Sequence, residues 1–206
     1  MTKTLYKFLR TGLKSDNGEN RDWVIGEWRE EKGGLGICSR GFHASKTPLQ
    51  ALSYVSGEIL AKVEVRGESI IQENQECWSE MRIVKAWHWK KEDSMALAIF
   101  AAEQVIDIFE KEYPNNKRPR EAIEAAKAYL KEPTEANRKK TADAAYAANA
   151  VANATYVVTY MVTYLENATR VTEYAVAYVM YTPDKLRAKI DKWFTKHIKT
   201  LEAWKK

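Results

Sequence analysis

Hydrophobic and polar positions follow two rhythms along the chain. Up to about residue 90 they alternate in short runs. "TLYKFLR" (4–10) sets Leu5, Lys7 and Leu9 against Tyr6, Phe8 and Arg10, which suits a strand with one face more aromatic. "EILAKVEVRGESII" sets Ile59, Ala61, Val63 and Val65 against Leu60, Lys62, Glu64 and Arg66, and predicts a strand half buried on an antiparallel sheet. "EMRIVKAWHW" (80–89) predicts another strand, and "DWVIGEW", "GICS" and "GFHAS" read as shorter ones. "KSDNGEN" and "EEKGGLG" are turns, with Asn17-Gly18 suited to positive φ. Thr47-Pro48 places a cap and a first-turn proline before "LQALSYV", a helix of about two turns.

Beyond residue 93 the period becomes helical. Asp93 or Ser94 caps "MALAIFAAEQVIDIFEKEY", where Met95, Ile99, Ala102, Ile106 and Phe109 share a face. "PNNKRP" breaks it, Pro119 opens "REAIEAAKAYL", "KEPTEA" breaks again and Thr134 caps the next stretch. From 135 to about 180 there is neither proline nor glycine, which reads as two helices bending near 166–170 or as one long helix. Thr182-Pro183 starts the last helix, whose apolar stripe runs through Leu186, Ile190, Trp193 or Phe194, His197 or Ile198, Leu201 and Trp204. The predicted fold is α+β: a small mixed or antiparallel sheet domain (1–92) followed by an α-helical bundle (93–206).

Composition sharpens this division. All nine glycines lie at or before Gly67, and alanine dominates after Met95. Two cysteines without CxxC spacing fit a reducing compartment, and "MTKTLYKFLR" has no apolar signal core. Ala144 to Leu165 lacks charge over a bilayer's length, but its asparagines and alanines suit a buried helix in a water-soluble bundle better than a membrane span. The net charge of +5 is concentrated in residues 184–206, where eight Lys/Arg stand against three Asp/Glu. That basic ledge includes Lys192, Lys196 and Lys199. It would steer acidic partners; nucleic acid, which wants a wider basic face, is not favoured.

Tyr156, Tyr160 and Tyr164 stand four apart on one helix face, and Tyr146, Asn149 and Asn153 continue it toward the N-terminus. Such a stripe either packs inside the bundle, its hydroxyls bonded across helices, or grips a partner with stiff, amphipathic rings. The lone histidine of "RGFHASKTPLQALSYV", His43, reads as a hydrogen-bonded core group, since no second histidine stands at metal-ligand spacing. Trp87, His88 and Trp89 with Lys85, Lys90 and Lys91 read as a strand end with snorkelling lysines. No phosphate loop, HExxH or GxSxG is present, and no cofactor is implied.

"AAEQVIDIFEKEYPNNKRPREAIEAAKAYL", followed by the Ala/Tyr/Asn-rich helix, resembles a family of immunity proteins from bacterial toxin systems. The resemblance runs over roughly 96–181 and implies a helical bundle that binds and neutralises a toxin. "LYKFLRTGLKSDNG", "RGFHASKTPLQALSYV" and "SEMRIVKAW" resemble an uncharacterised domain recurrent in phage proteins, which implies a counter-defence role. The order strand, GFHAS, helix, long strand, Glu80 is loosely similar to ADP-ribosyltransferases. That similarity implies His43 or Ser45, Tyr54 and Glu80, with Arg10, as an alternative catalytic set acting on NAD. The expected function is therefore a non-enzymatic, phage-type inhibitor in the host cytoplasm that occludes a bacterial protein or complex. The alternatives are the transferase and a nucleic-acid-binding accessory protein.

Overall fold

The computed structural model describes residues 2–16, 22–55, 57–104, 106–149 and 184–205. Five strands form one sheet: β1 (Lys3–Leu9), β2 (Arg29–Glu30), β3 (Phe42–Ala44), β4 (Ile59–Ile71) and β5 (Glu76–His88). Helix α1 is Pro48–Leu52; α2 to α5 are Lys91–Glu103, Ile106–Glu112, Arg118–Lys131 and Glu135–Asn149; α6 is Asp184–His197. The order is an antiparallel sheet followed by helices, an α+β arrangement. The chain divides into two compact units, one of residues 1–89 with 191–206, the other of residues 90–190.

In the first unit the β4–β5 hairpin dominates, each strand 13 residues long. β1 pairs antiparallel with β4, from Lys3 opposite Val65 to Leu9 opposite Ile59. The far edge of β5 is covered piecewise. β3 lies along 76–78, β2 along 80–81, Ile25 bridges Ile83 and Ala203 bridges Trp87. Tyr6 and Ser45 then exchange both backbone bonds (2.8 and 2.9 Å), so the chain leaving β3 reaches β1 and the sheet rolls on itself.

Strand alternation sorts the side chains. Leu5, Leu9, Val63, Val65, Met81 and Ile83 share one core with Trp23 and Ala44. Phe8 and its partner Leu60 face the other way and are also buried. There Phe8 meets Trp89 edge-on (5.6 Å between ring centres), and Trp89 stacks on Phe194 of α6 (5.2 Å). Past α6, His88 N–H donates to the Glu202 carbonyl and Trp204 N–H to the Ala86 carbonyl, both at 3.0 Å. The chain end is thus part of the sheet unit, whereas the sequence pattern grouped 184–206 with the other helices.

Several local expectations change. "GICS" is a turn, not a strand: Gly36 and Arg40 bond across it and Cys38 sits at φ 62. "DWVIGEW" contributes only isolated bridges, because Gly26 at φ 90 breaks the extended run and Trp23 turns into the core. β5 begins at Glu76, earlier than residue 80. Thr47 caps α1 as expected, in a reciprocal box with Gln50, although the helix spans five residues only. α2 starts at Lys91, its Asp93 carboxylate accepting from Lys90 N–H (2.7 Å).

In the second unit α4 packs on α2 and α5. The "FEKEYPNNKRPREAIEAA" block is a corner tied by charge. Arg120, opening α4, grips Glu110 of α3 through two bonds (2.6 and 2.7 Å) and reaches Asp107 (2.9 Å). Thr141 of α5 donates to the Ala125 carbonyl of α4 (3.0 Å). Among the described residues no helix is long and apolar enough to cross a membrane.

Phe194 is fully buried against Trp89. Phe194→Ala is therefore expected to cost about 3–5 kcal/mol in urea unfolding. Exposed Lys192→Ala should stay within about 0.5 kcal/mol of wild type.

Candidate functional site

His43 lies in β3, half-buried. Its Nε2 accepts the backbone N–H of Cys38 at 3.0 Å. That nitrogen must carry no proton to accept, so the imidazole closes the Gly36–Arg40 turn as a neutral acceptor. Burial first, and the Lys7 charge second, hold its pKa below the ordinary value, while the carbonyls of Gly41 and Gly36 act the other way. The Cys77 thiol in the next strand donates to the Arg40 carbonyl (3.1 Å), and burial raises its pKa. His43 and Cys77 both brace this turn; neither cysteine is disulfide-bonded.

Lys7 stands between Leu5 and Leu9 on the apolar face of β1. Its Nζ donates to the His43 carbonyl (3.1 Å). Burial, and then the charge of Arg29, push its pKa down to about 8. The alternating pattern set Lys7 on one face with Leu5 and Leu9, but did not single it out as a lysine whose charge costs this much. Its signal was the placement between two core leucines.

Tyr6, Phe8, His43, Ser45, Tyr54 and Gln75 help to line a shallow cleft of about 50 Å³ between β1, β3 and α1. Three members of the transferase-like set, His43, Ser45 and Tyr54, thus meet at one place. Glu80 does not join them: its carboxylate accepts from Arg66 (2.7 Å), whose guanidinium lies over Trp28 (4.1 Å). Arg10 donates to Asp16 instead (2.6 Å). The cleft falls far below the roughly 300–1,000 Å³ of ordinary ligand pockets. Among the described residues no group of three His, Cys, Asp or Glu side chains could hold a metal ion.

The Arg–Trp stack on the hairpin is a second feature absent from the sequence reading. Arg66 and Arg82 both cover Trp28, and each is neutralised across the strands, Arg66 by Glu80 and Arg82 by Glu64 (2.6 Å). With both cations paired, the stack is a structural clamp on the 24–30 segment.

Lys192, Lys196 and Lys199 are exposed on and just after α6. Phe194 points inward, and Trp193 stacks on His197 (4.3 Å). Lys85 lies over the Trp87 ring (5.2 Å), which places the aromatic-basic cluster at a strand end. Of the tyrosine stripe, Tyr146 and Asn149 belong to α5. Asn153, Tyr156, Tyr160 and Tyr164 lie outside the described residues.

Residues 88–203 match the family described as "Imm-5 like putative immunity protein", and residues 3–94 match a domain of unknown function, DUF7666. The first match covers more than half of the chain, and the chain belongs to that family. No curated protein and no solved structure matches it. The two regions meet near residues 88–94, where the sheet gives way to helices.

The two depressed bases make two separate windows of pH dependence with the same sign, stability rising with pH in each. The unfolded chain protonates His43 near pH 6.5, above the folded state, so stability should fall as pH drops through 6.5. His43→Gln, which keeps an acceptor without titrating, should flatten that fall in thermal unfolding between pH 5 and 7. For Lys7 the unfolded chain holds a proton between pH 8 and 10.5 that the folded chain has lost. Urea midpoints should rise across that window, and Lys7→Met should abolish the rise.

Proposed function

We propose that this member of the immunity-protein family is a non-enzymatic inhibitor that binds a bacterial partner protein, a toxin or a host complex, and occludes it. The family match over 88–203 carries this reading. In it the helices after residue 92 form a bundle, and the binding face combines Tyr146, Asn149, Asn153, Tyr156, Tyr160 and Tyr164 with the lysines of the last helix. Rigid aromatic rings would anchor the contact, and Lys192, Lys196 and Lys199 would speed encounter with an acidic surface. The exposure of those three lysines supports the electrostatic part. The resemblance of "LYKFLRTGLKSDNG" and "RGFHASKTPLQALSYV" to a domain recurrent in phage proteins is what suggests a counter-defence setting in the host cytoplasm.

Affinity capture from bacterial lysate with the full chain tests the reading. Tyr160→Ala or Tyr164→Ala should weaken recovery of one stoichiometric partner at least tenfold. Combined Lys192→Glu, Lys196→Glu and Lys199→Glu should do so most strongly at low salt. His43→Gln and Glu80→Ala should leave recovery intact. Loss of inhibition through those two variants alone, or NAD consumption by the purified protein, would establish the transferase reading instead.

A further inference from the structure

We propose that the outer end of β4, Ser69 to Ile71, is a docking edge for a basic extended segment of a partner protein. β1 covers β4 only as far as Val65. Beyond the irregularity between Arg66 and Ser69, β4 is bonded to β5 alone among the described residues. The closing pair of the hairpin fixes the direction of each backbone group: Gln72 N–H donates to the Gln75 carbonyl (2.9 Å). In an antiparallel ladder successive residues face the partner strand and turn away from it alternately. Ile70 and Gln72 therefore face β5, and the N–H and C=O of Ser69 and Ile71 point to the open side.

Native sheets blunt such edges with charge, proline or a bulge. Here the bulge and Glu68 both precede Ser69, and the Glu68 N–H is taken by Ser79 Oγ (2.9 Å). Ser69-Ile70-Ile71 carries none of these devices, and Ile71 is 56 % exposed. The same end of the unit presents Tyr54, 49 % exposed. Gln50 Nε2 donates to Asn74 Oδ1 (3.1 Å), tying α1 to the hairpin tip, and Gln75 lines the cleft beside Tyr54. Three of the five exposed large hydrophobics among the described residues, Tyr54, Ile70 and Ile71, are thus gathered at one end.

Charge selects the occupant. Residues 64–76, "EVRGESIIQENQE", hold four glutamates and one arginine. Arg82 neutralises Glu64, and Lys3 neutralises Glu76. Arg66 is committed to Glu80. Glu68 and Glu73 remain as exposed carboxylates flanking the open stretch. A second copy pairing edge to edge would gather four carboxylates, whereas a strand with Lys or Arg at alternate positions is attracted. This surface belongs to the sheet unit and does not depend on the inhibitor reading.

Two nine-residue synthetic peptides, one alternating Lys with Val and one alternating Glu with Val, probe the edge on the full chain by amide hydrogen exchange. The Lys/Val peptide should slow exchange at Ser69 and Ile71 at least tenfold, less so as salt rises, and the Glu/Val peptide should not. Ile71→Pro removes an outward N–H without touching the β4–β5 bonds and should weaken Lys/Val binding at least tenfold. Glu68→Lys with Glu73→Lys should do the same without a backbone change, which keeps the test decisive if the proline variant does not fold. Equal effects of both peptides, or no slowing at those two amides, would overturn the proposal. So would concentration-dependent protection without peptide, which would make a second copy the occupant.

Discussion

Two-sided hydrogen bonding of β5 is the constraint on which the N-terminal unit depends. One edge is served along most of its length by β4. The other is served by four fragments from distant parts of the sequence: β3, β2, Ile25 and Ala203. A buried strand leaves its backbone groups no recourse to water, so each stretch of edge needs a protein partner. None of the fragments exceeds three paired residues, too few to hold a strand alone. Three of them are fixed by side chains around them. Trp23 holds the Ile25 segment from within the core, the Trp28 stack holds the approach to β2, and His43 and Cys77 brace the turn before β3.

This arrangement explains why the most chemical-looking residues serve the fold. His43 accepts a turn amide, and its carbonyl is itself bound by Lys7. Glu80 answers Arg66 across the hairpin. A catalytic reading needs His43, Ser45, Tyr54 and Glu80 to converge on one substrate, and Glu80 is committed elsewhere. The cost of the design appears in Lys7: a cation on an apolar face loses hydration and responds by shedding its proton more easily.

The sequence revealed what is local. Alternation over residues 59–65 marked the covered part of β4, and Thr47 with Gln50 and Pro48 marked the start of α1, because a period or a cap is written in adjacent residues. Fragments that pair through one or two residues leave no period to read. Hence the Ile25 and Ala203 bridges were invisible, and "GICS" looked extended although Cys38 takes a left-handed conformation. The end of α2 was also missed, since the run 95–113 read as one helix and only the structure ends α2 at Glu103, with Gln104 as its cap. Of the candidate binding face, helical spacing gave the outward lysines of α6, while the tyrosines from 156 onward lie outside the described residues. Which rings meet solvent depends on neighbouring helices, and spacing alone does not encode that.

The most specific block of the family resemblance turns out to be a corner. "FEKEYPNNKRPREAIEAA" brings Arg120 onto Glu110 and Asp107, which sets the angle between α3 and α4. A charged, planar, two-pronged pair constrains direction as well as distance, and that geometry needs arginine rather than lysine. In this chain the block builds scaffold, since both ion pairs of Arg120 join α4 to α3. The same logic applies at the other end of the matched region. Residues up to 203 fall within the immunity match, yet the Glu202 carbonyl bonds to β5 and Phe194 is sealed by Trp89. The last part of the immunity segment therefore owes its order to a sheet encoded before residue 90. A sequence boundary near 88–94 separates two resemblances without separating two independently closed cores.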